Sequence, residues 1–240
     1  GNETVIISDT VTAAQANTIA KATSEAVTAT VAAGTAAALN TALTDTTENA
    51  YALKITDTNL TSLTNLIALD GKTTGTIDAS SLLSISETYA NLNTVYTSAG
   101  ITGLTNEAVT ITDTQNAGNV NTIADKTSGA VTATITDGTV ASVLGATKIF
   151  ATDNIKFKTT DKTVDASELV ALKVLVDTLD VSAVTTITEA TANIGTNGAA
   201  VVSALNIAGN DVKVDFTDVA TAISAASADA IADATSGEVT

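Results

Sequence analysis

Residues 2–35, NETVIISDTVTAAQANTIAKATSEAVTATVAAGT, return as residues 106–139, NEAVTITDTQNAGNVNTIADKTSGAVTATITDGT, with no gap and 20 of the 34 positions identical. The last ten residues, IADATSGEVT (231–240), begin the same unit once more. A fixed internal period marks a repeat architecture, in which each unit buries its apolar face only against its neighbours. The pattern predicts repeat units over 2–105 and 106–210, a third starting near 211, and a single repeat domain over 1–240. A chain that opens on Gly1, holds no Met and stops inside a recognisable unit reads as a piece of a longer array.

Inside the 104-residue unit runs a finer rhythm. Short β-type runs recur at VIIS (5–8), VTATV (27–31), LKIT (53–56), TIDAS (76–80), VTIT (109–112), VTATI (131–135), IKFKT (155–159), TVDAS (163–167), VTTIT (184–188) and VKVDF (212–216). Most alternate apolar and polar residues, the pattern of a half-buried strand. In VTATI, Val131, Ala133 and Ile135 point inward and Thr132 and Thr134 outward. Ala- and Leu-rich segments lie between. TAAQANTIAKA (12–22) opens on a capping box, Thr12 with Gln15, and 165–180 repeats the logic with Asp165 and Glu168. TSLTNLIALDG (61–71) ends at Gly71, a candidate left-handed stop.

Strand and helix alternating in this way predict parallel strands joined by helical crossovers. The strands are half polar and nearly identical between units, so a doubly wound sheet fits poorly. The expected fold is α/β: a right-handed solenoid of strand–helix coils, one parallel sheet lined by short helices. Its coil length resembles that of leucine-rich repeats, without their Leu/Asn consensus. Two stretches strain this reading: 76–108 is long for one coil, and 155–167 offers two strands very close together.

Composition narrows function. The net charge is −16, all ten basic residues are Lys, and there is no His, Cys, Met, Trp or Pro. Nucleic-acid affinity comes mainly from cations neutralising phosphates, so no nucleic-acid partner is expected. The uncharged stretches are studded with Thr and Ser, so no membrane insertion is expected either. Without His or Cys most catalytic dyads and triads are impossible, and there is no G-x-S-x-G elbow, P-loop or G-x-G-x-x-G. IGTNG (194–198) is only a turn-like cluster. The chain is expected to be no enzyme, with no catalytic or cofactor-binding residue.

Repeated polar residues are the remaining candidates. Asp9, Asp57 and Asp113 each follow a strand in the context [ST]-D-T, and Asn17, Asn65 and Asn121 each lie eight residues later. One reading is a ladder of Ca²⁺ ligands, since Ca²⁺ takes six to eight oxygens. The favoured reading is structural: each Asp caps the helix or turn that follows, and each Asn bonds backbone between coils. Outward Thr pairs (Thr28/Thr30, Thr110/Thr112, Thr132/Thr134) would form a regular array, but Lys54/Thr56, Asp78/Ser80, Lys156/Lys158 and Lys213/Asp215 interrupt it. Tyr89 and Tyr96, seven apart on one helical face, read as local core.

The segments TDTNLTSLTNLIALDGKTTGTIDASS (56–81), YANLNTVYTSAGITGLTNEAVTITDT (89–114) and IADKTSGAVTAT (123–134) resemble tandem units of giant, repeat-rich cell-surface proteins of marine cyanobacteria or their phages. The resemblance covers about residues 2–140 and implies a structural role outside the cell, with no catalytic residue. The resulting expectation is an acidic, threonine-rich spacer or adhesion scaffold, whose partners are adjacent repeats of the same chain, further copies or a surface partner. The alternatives are a virion fibre or appendage, and a Ca²⁺- or glycan-binding module.

Overall fold

The structure, a computed structural model, describes residues 2–45, 48–193, 198–209, 211–217 and 222–240, with the side chains of Asp137 and Ala192 outside that description. It is a mixed α/β protein with parallel sheets; among the described residues there are nine α-helices and no closed barrel. By compactness the chain divides into unit 1 (Gly1–Asp113 with Ile123–Val131) and unit 2 (Thr114–Thr122 with Thr132–Thr240).

In unit 1 the chain order is β1 (Val5–Val11), α1 (Ala13–Ala20), β2 (Val27–Val31), α2 (Ala36–Ala42), β3 (Ala50–Lys54), β4 (Asn59–Leu60) and α3 (Thr64–Asp70). It continues through β5 (Ile77–Asp78), β6 (Ser84–Glu87), α4 (Tyr89–Thr97), β7 (Ile101–Thr102) and β8 (Ala108–Ile111). The expected single sheet is two. One runs β1-β2-β3-β5-β7, and β4, β6 and β8 line up in the other. So 5–8, 27–31 and 53–54 are rungs of the first sheet, whereas 109–111 pair with β6 in the second.

The reason is a corner that hydropathy alone does not reveal. After β5 the Asp78 carboxylate accepts the Ser80 amide at 2.9 Å, an Asx turn, while Ala79 and Leu82 are buried beneath the bend. The chain then resumes as β6, so one coil carries two strands and a helix. The length of 76–108 follows directly, because the segment holds β5, β6, α4 and β7. Partners in register in this unit lie 20 to 25 residues apart, as in Thr10↔Thr30, Val5↔Val27, Leu53↔Ile77 and Asn59↔Ser84. All pairings are parallel, as helical crossovers require.

Unit 2 repeats the scheme. α5 (Ala117–Ala124) is followed by β9 (Val131–Gly138), α6 (Val140–Leu144), β10 (Asn154–Thr159), β11 (Thr163–Asp165), α7 (Ala166–Leu175) and β12 (Thr178–Asp180). Then come β13 (Thr186–Glu189), α8 (Ala199–Ala208), β14 (Lys213–Phe216) and α9 (Ala225–Ala234). β9, β10 and β12 are parallel neighbours, and β11, β13 and β14 form a second parallel sheet. The two close strand candidates at 155–167 are therefore both strands, in different sheets. Asp180 turns the later corner as Asp78 does, accepting the Ser182 amide at 2.9 Å.

Local signals in the sequence hold at the helix starts. Thr12 and Gln15 form a full capping box, and Asp165 accepts the amides of Ser167 and Glu168. Gly71 is an exception: it ends α3 with a right-handed φ of −72°, so its conformation does not need glycine. The core is small and aliphatic. Val27, Ala29 and Val31, and their repeat partners Val131, Ala133 and Ile135, are each at most 3% exposed.

A second corner fixes where each coil restarts. Thr73 donates its hydroxyl to the Tyr51 carbonyl one coil back (2.8 Å) and accepts the Gly75 amide (2.9 Å). Thr127 does the same with the Glu107 carbonyl (2.7 Å) and the Gly129 amide (3.0 Å). A Cβ on Gly75 or Gly129 would stand 2.3 Å from the carbonyl oxygen of Tyr51 or Glu107. Glycine is needed there because one backbone passes directly against the next.

Candidate functional site

The repeated acids are the most organised polar feature of the molecule. Asp57 leaves the end of β3 and its Oδ2 accepts the amide of Ala36, the first residue of α2, at 2.7 Å. Asp113 follows β8 and its Oδ1 accepts the amide of Tyr89, the first residue of α4, at 2.8 Å. Each acid therefore caps the helix of the preceding coil, 21 or 24 residues earlier. The expectation of a cap is met in kind and corrected in direction. The following helix starts too far from the strand end, while parallel stacking brings the preceding helix N-terminus alongside it.

Three further acids do the same work, and sequence reading missed them. Glu87 accepts the amide of Leu63 at the start of α3 (3.1 Å), Asp161 that of Val140 in α6 (2.8 Å) and Glu189 that of Ser167 in α7 (3.1 Å). The N–H groups of Thr88 and then Leu63 hold the Glu87 carboxyl below its ordinary pKa. Local and remote caps divide the helix end between them. In α2, Thr35 accepts the amide of Ala38 while Asp57 accepts that of Ala36; in α6, Thr139 accepts Ser142 and Asp161 accepts Val140. Together they satisfy amides that a helix start leaves without partners, and they place negative charge at the positive end of the helix dipole.

The other end of α2 is answered by a cation. Lys72 donates to the carbonyls of Asn40 (2.5 Å) and Leu43 (2.8 Å), the C-terminal groups of that helix. Asp57 and Lys72 thus clamp α2 at both poles from the next coil. The asparagines act between coils as expected. Asn17 accepts the amides of Thr44 (3.0 Å) and Asp45 (2.8 Å), and Asn121 accepts that of Lys148 (2.8 Å). Asn65 differs, accepting the side-chain amide of Asn40 at 2.9 Å.

Tyr96 is not plain core. Its hydroxyl donates to the buried carboxylate of Glu107, which also accepts the amides of Thr105 (2.9 Å) and Asn106 (3.1 Å). Burial first, and then this bond, push the tyrosine pKa well up, so Tyr96 stays a donor. Tyr89 is half-buried; the core of α4 is Leu92 and Val95. Tyr51 is 1% exposed and its hydroxyl has no hydrogen-bond partner among the described residues.

The interruptions in the threonine array become ordered pairs. Lys54 and Asp78 are register partners on β3 and β5 with Nζ and Oδ2 2.6 Å apart; Lys158 and Asp180 repeat this on β10 and β12 at 2.7 Å. Hydrogen bonding to Lys54 pulls the Asp78 carboxyl down to about 2, and Lys158 likewise depresses Asp180.

As a Ca²⁺ site the candidates do not converge. Asp57 and Asp113 serve different helices, Asp9 is exposed on β1, and among the described residues no group of three or more His, Cys, Asp or Glu side chains could hold a metal ion. Of IGTNG, residues 194–197 lie outside the described residues. A cleft of about 320 Å³ lies in unit 1 between Thr44, Asp45, Glu48 and the 71–74 corner, with Lys72 already committed to α2. No described helix is long and apolar enough to cross a membrane. No family model matches the chain, and neither a curated protein nor a solved structure is similar to it.

Proposed function

We propose that the chain is a non-catalytic structural segment: a run of stacked strand–helix coils, continuing as a solenoid, that serves as a spacer or scaffold in a large extracellular or cell-surface protein. The observation that supports it most is the remote capping. Five acids are spent on holding one coil to the one before; Asp57 and Asp161 are repeat partners, and Glu87 and Glu189 each end a strand, β6 and β13. Groups used in this way in successive coils serve cohesion rather than a unique chemical step.

The same reading accounts for the exterior. Each added strand advances a stack by about 4.8 Å, so length accumulates in fixed increments. Stability accumulates from nearest-neighbour interfaces. A surface with net charge −16 and outward threonines resists association with other anionic surfaces. The direct test is antibody labelling of intact cells of the organism that encodes the chain. Labelling of the outer face agrees with the proposal; a signal only after permeabilisation refutes it.

A further inference from the structure

The N-terminal edge of unit 1 presents, unfilled, the half of an interface that the chain completes elsewhere. Residues 106–113 and 2–9 are repeat partners identical at five positions, and four of these form the interface: Glu107 with Glu3, Val109 with Val5, Ile111 with Ile7 and Asp113 with Asp9. In the later copy all four are engaged by the coil of β6 and α4. Glu107 receives the Tyr96 hydroxyl, Asp113 receives the Tyr89 amide, and Val109 and Ile111 are 1% and 4% exposed beside β6. In the first copy Glu3 and Asp9 are exposed and make no side-chain hydrogen bond among the described residues, while Val5 and Ile7 are only half-covered. β1 is the end strand of its sheet, with Ile6 77% exposed.

We infer that this edge is a docking face for one more coil of the chain's own kind, a coil like residues 79–105, supplied by a preceding repeat. In it a strand equivalent to β6 pairs in parallel with β1. A helix N-terminus equivalent to Tyr89 meets Asp9, and a tyrosine equivalent to Tyr96 meets Glu3. The inference rests on the stacked-repeat reading above and adds the residues of the joint. It also explains why a partly apolar strand edge has one acid on it, Asp9, and one just before it, Glu3: they are partners for an incoming helix end and hydroxyl, and until then they discourage pairing with other strands.

The test extends the full chain at its N-terminus by residues 79–105 placed directly before Asn2, which recreates the Thr105–Asn106 junction. Native-state hydrogen exchange then follows the amides of Val5–Val11. The expected result is at least a tenfold gain in their protection. Asp9→Ala and Glu3→Ala should be silent in the original chain and lower protection in the extended chain about five- to tenfold, as loss of a cap does. No gain in protection, or substitutions with equal effect in both chains, overturns the inference. So does protection of Val5–Val11 that rises with concentration in the original chain, since the occupant would then be a second β1 edge. Failure here removes the joint alone; the stacked-repeat reading fails separately, if added repeats do not lengthen the particle.

Discussion

Replacing Asp57 by Ala should loosen α2 and leave α3 intact. The carboxylate is partly buried and accepts the Ala36 amide at 2.7 Å, a short, charge-assisted bond. Loss of an N-cap acceptor costs about 1 kcal/mol, and loss of a charge at the positive end of a helix dipole about 0.3–1 kcal/mol more, so about 1–2 kcal/mol is expected. Asp57→Asn keeps an acceptor and loses the charge, and should cost roughly half as much. Asp161→Ala, which frees the Val140 amide in the repeated position, should match Asp57→Ala to within about 0.5 kcal/mol. Stacked coils open locally, so native-state hydrogen exchange is the suitable assay. Faster exchange should be confined to the first turn of α2. Faster exchange at the start of α3, or none anywhere, would refute capping of the preceding coil.

Four further outcomes follow from the geometry. Tyr96→Phe should destabilise by about 1.5–3 kcal/mol in urea unfolding, because it leaves the buried Glu107 one donor short, whereas Tyr51→Phe should be neutral or slightly stabilising, because that hydroxyl is unpaired. Ile135→Asp should disrupt its coil while Thr132→Asp costs far less; equal shifts in melting temperature would contradict the assignment of faces. Asp78 is held down to about 2 by Lys54, and Glu87 lies below its ordinary value, so both add stability that is complete above the unfolded carboxylate range and lost on acidification. Thermal melts should therefore fall as pH drops from about 4 towards 2, with Asp78→Asn flattening its part of that fall; because the Lys54–Asp78 pair is largely exposed, the effect should be small and weaken in salt. Calorimetry should show no stoichiometric micromolar Ca²⁺ site, and such a site abolished by Asp113→Ala would overturn the capping role of that residue.

Much of this fold was legible in the residues. The period, the parallel strand–helix alternation, the Thr12/Gln15 and Asp165 caps and the inward faces of 27–31 and 131–135 all depend on neighbours in sequence, where hydropathy and capping rules apply. What was not legible depends on stacking. The split into two sheets turns on Asx corners at Asp78 and Asp180, two short side chains, one in a run that reads as strand (76–80) and one at the end of a run that reads as helix (165–180), where the helix in fact stops at Leu175 and 178–180 is strand. The direction of capping depends on which helix end lies beside a strand end, and parallel stacking decides that. A signal did exist: an acid recurring 21 to 24 residues after a helix start, at Asp57, Glu87, Asp113 and Asp161. The Tyr96–Glu107 bond had none beyond the presence of both residues in one coil step.

A solenoid, as proposed above, grows in length with the number of repeats. Solution X-ray scattering on the chain, and on a version carrying one more copy of residues 106–209, tests it directly. Four helices separate β1 from its repeat partner β8, so one repeat is four coils. The maximum dimension should grow by about 19 Å per added repeat, from four rises of about 4.8 Å, with the cross-section unchanged. Growth of only a few ångströms with a thickening cross-section, as a compact globule of increasing length would give, would contradict it.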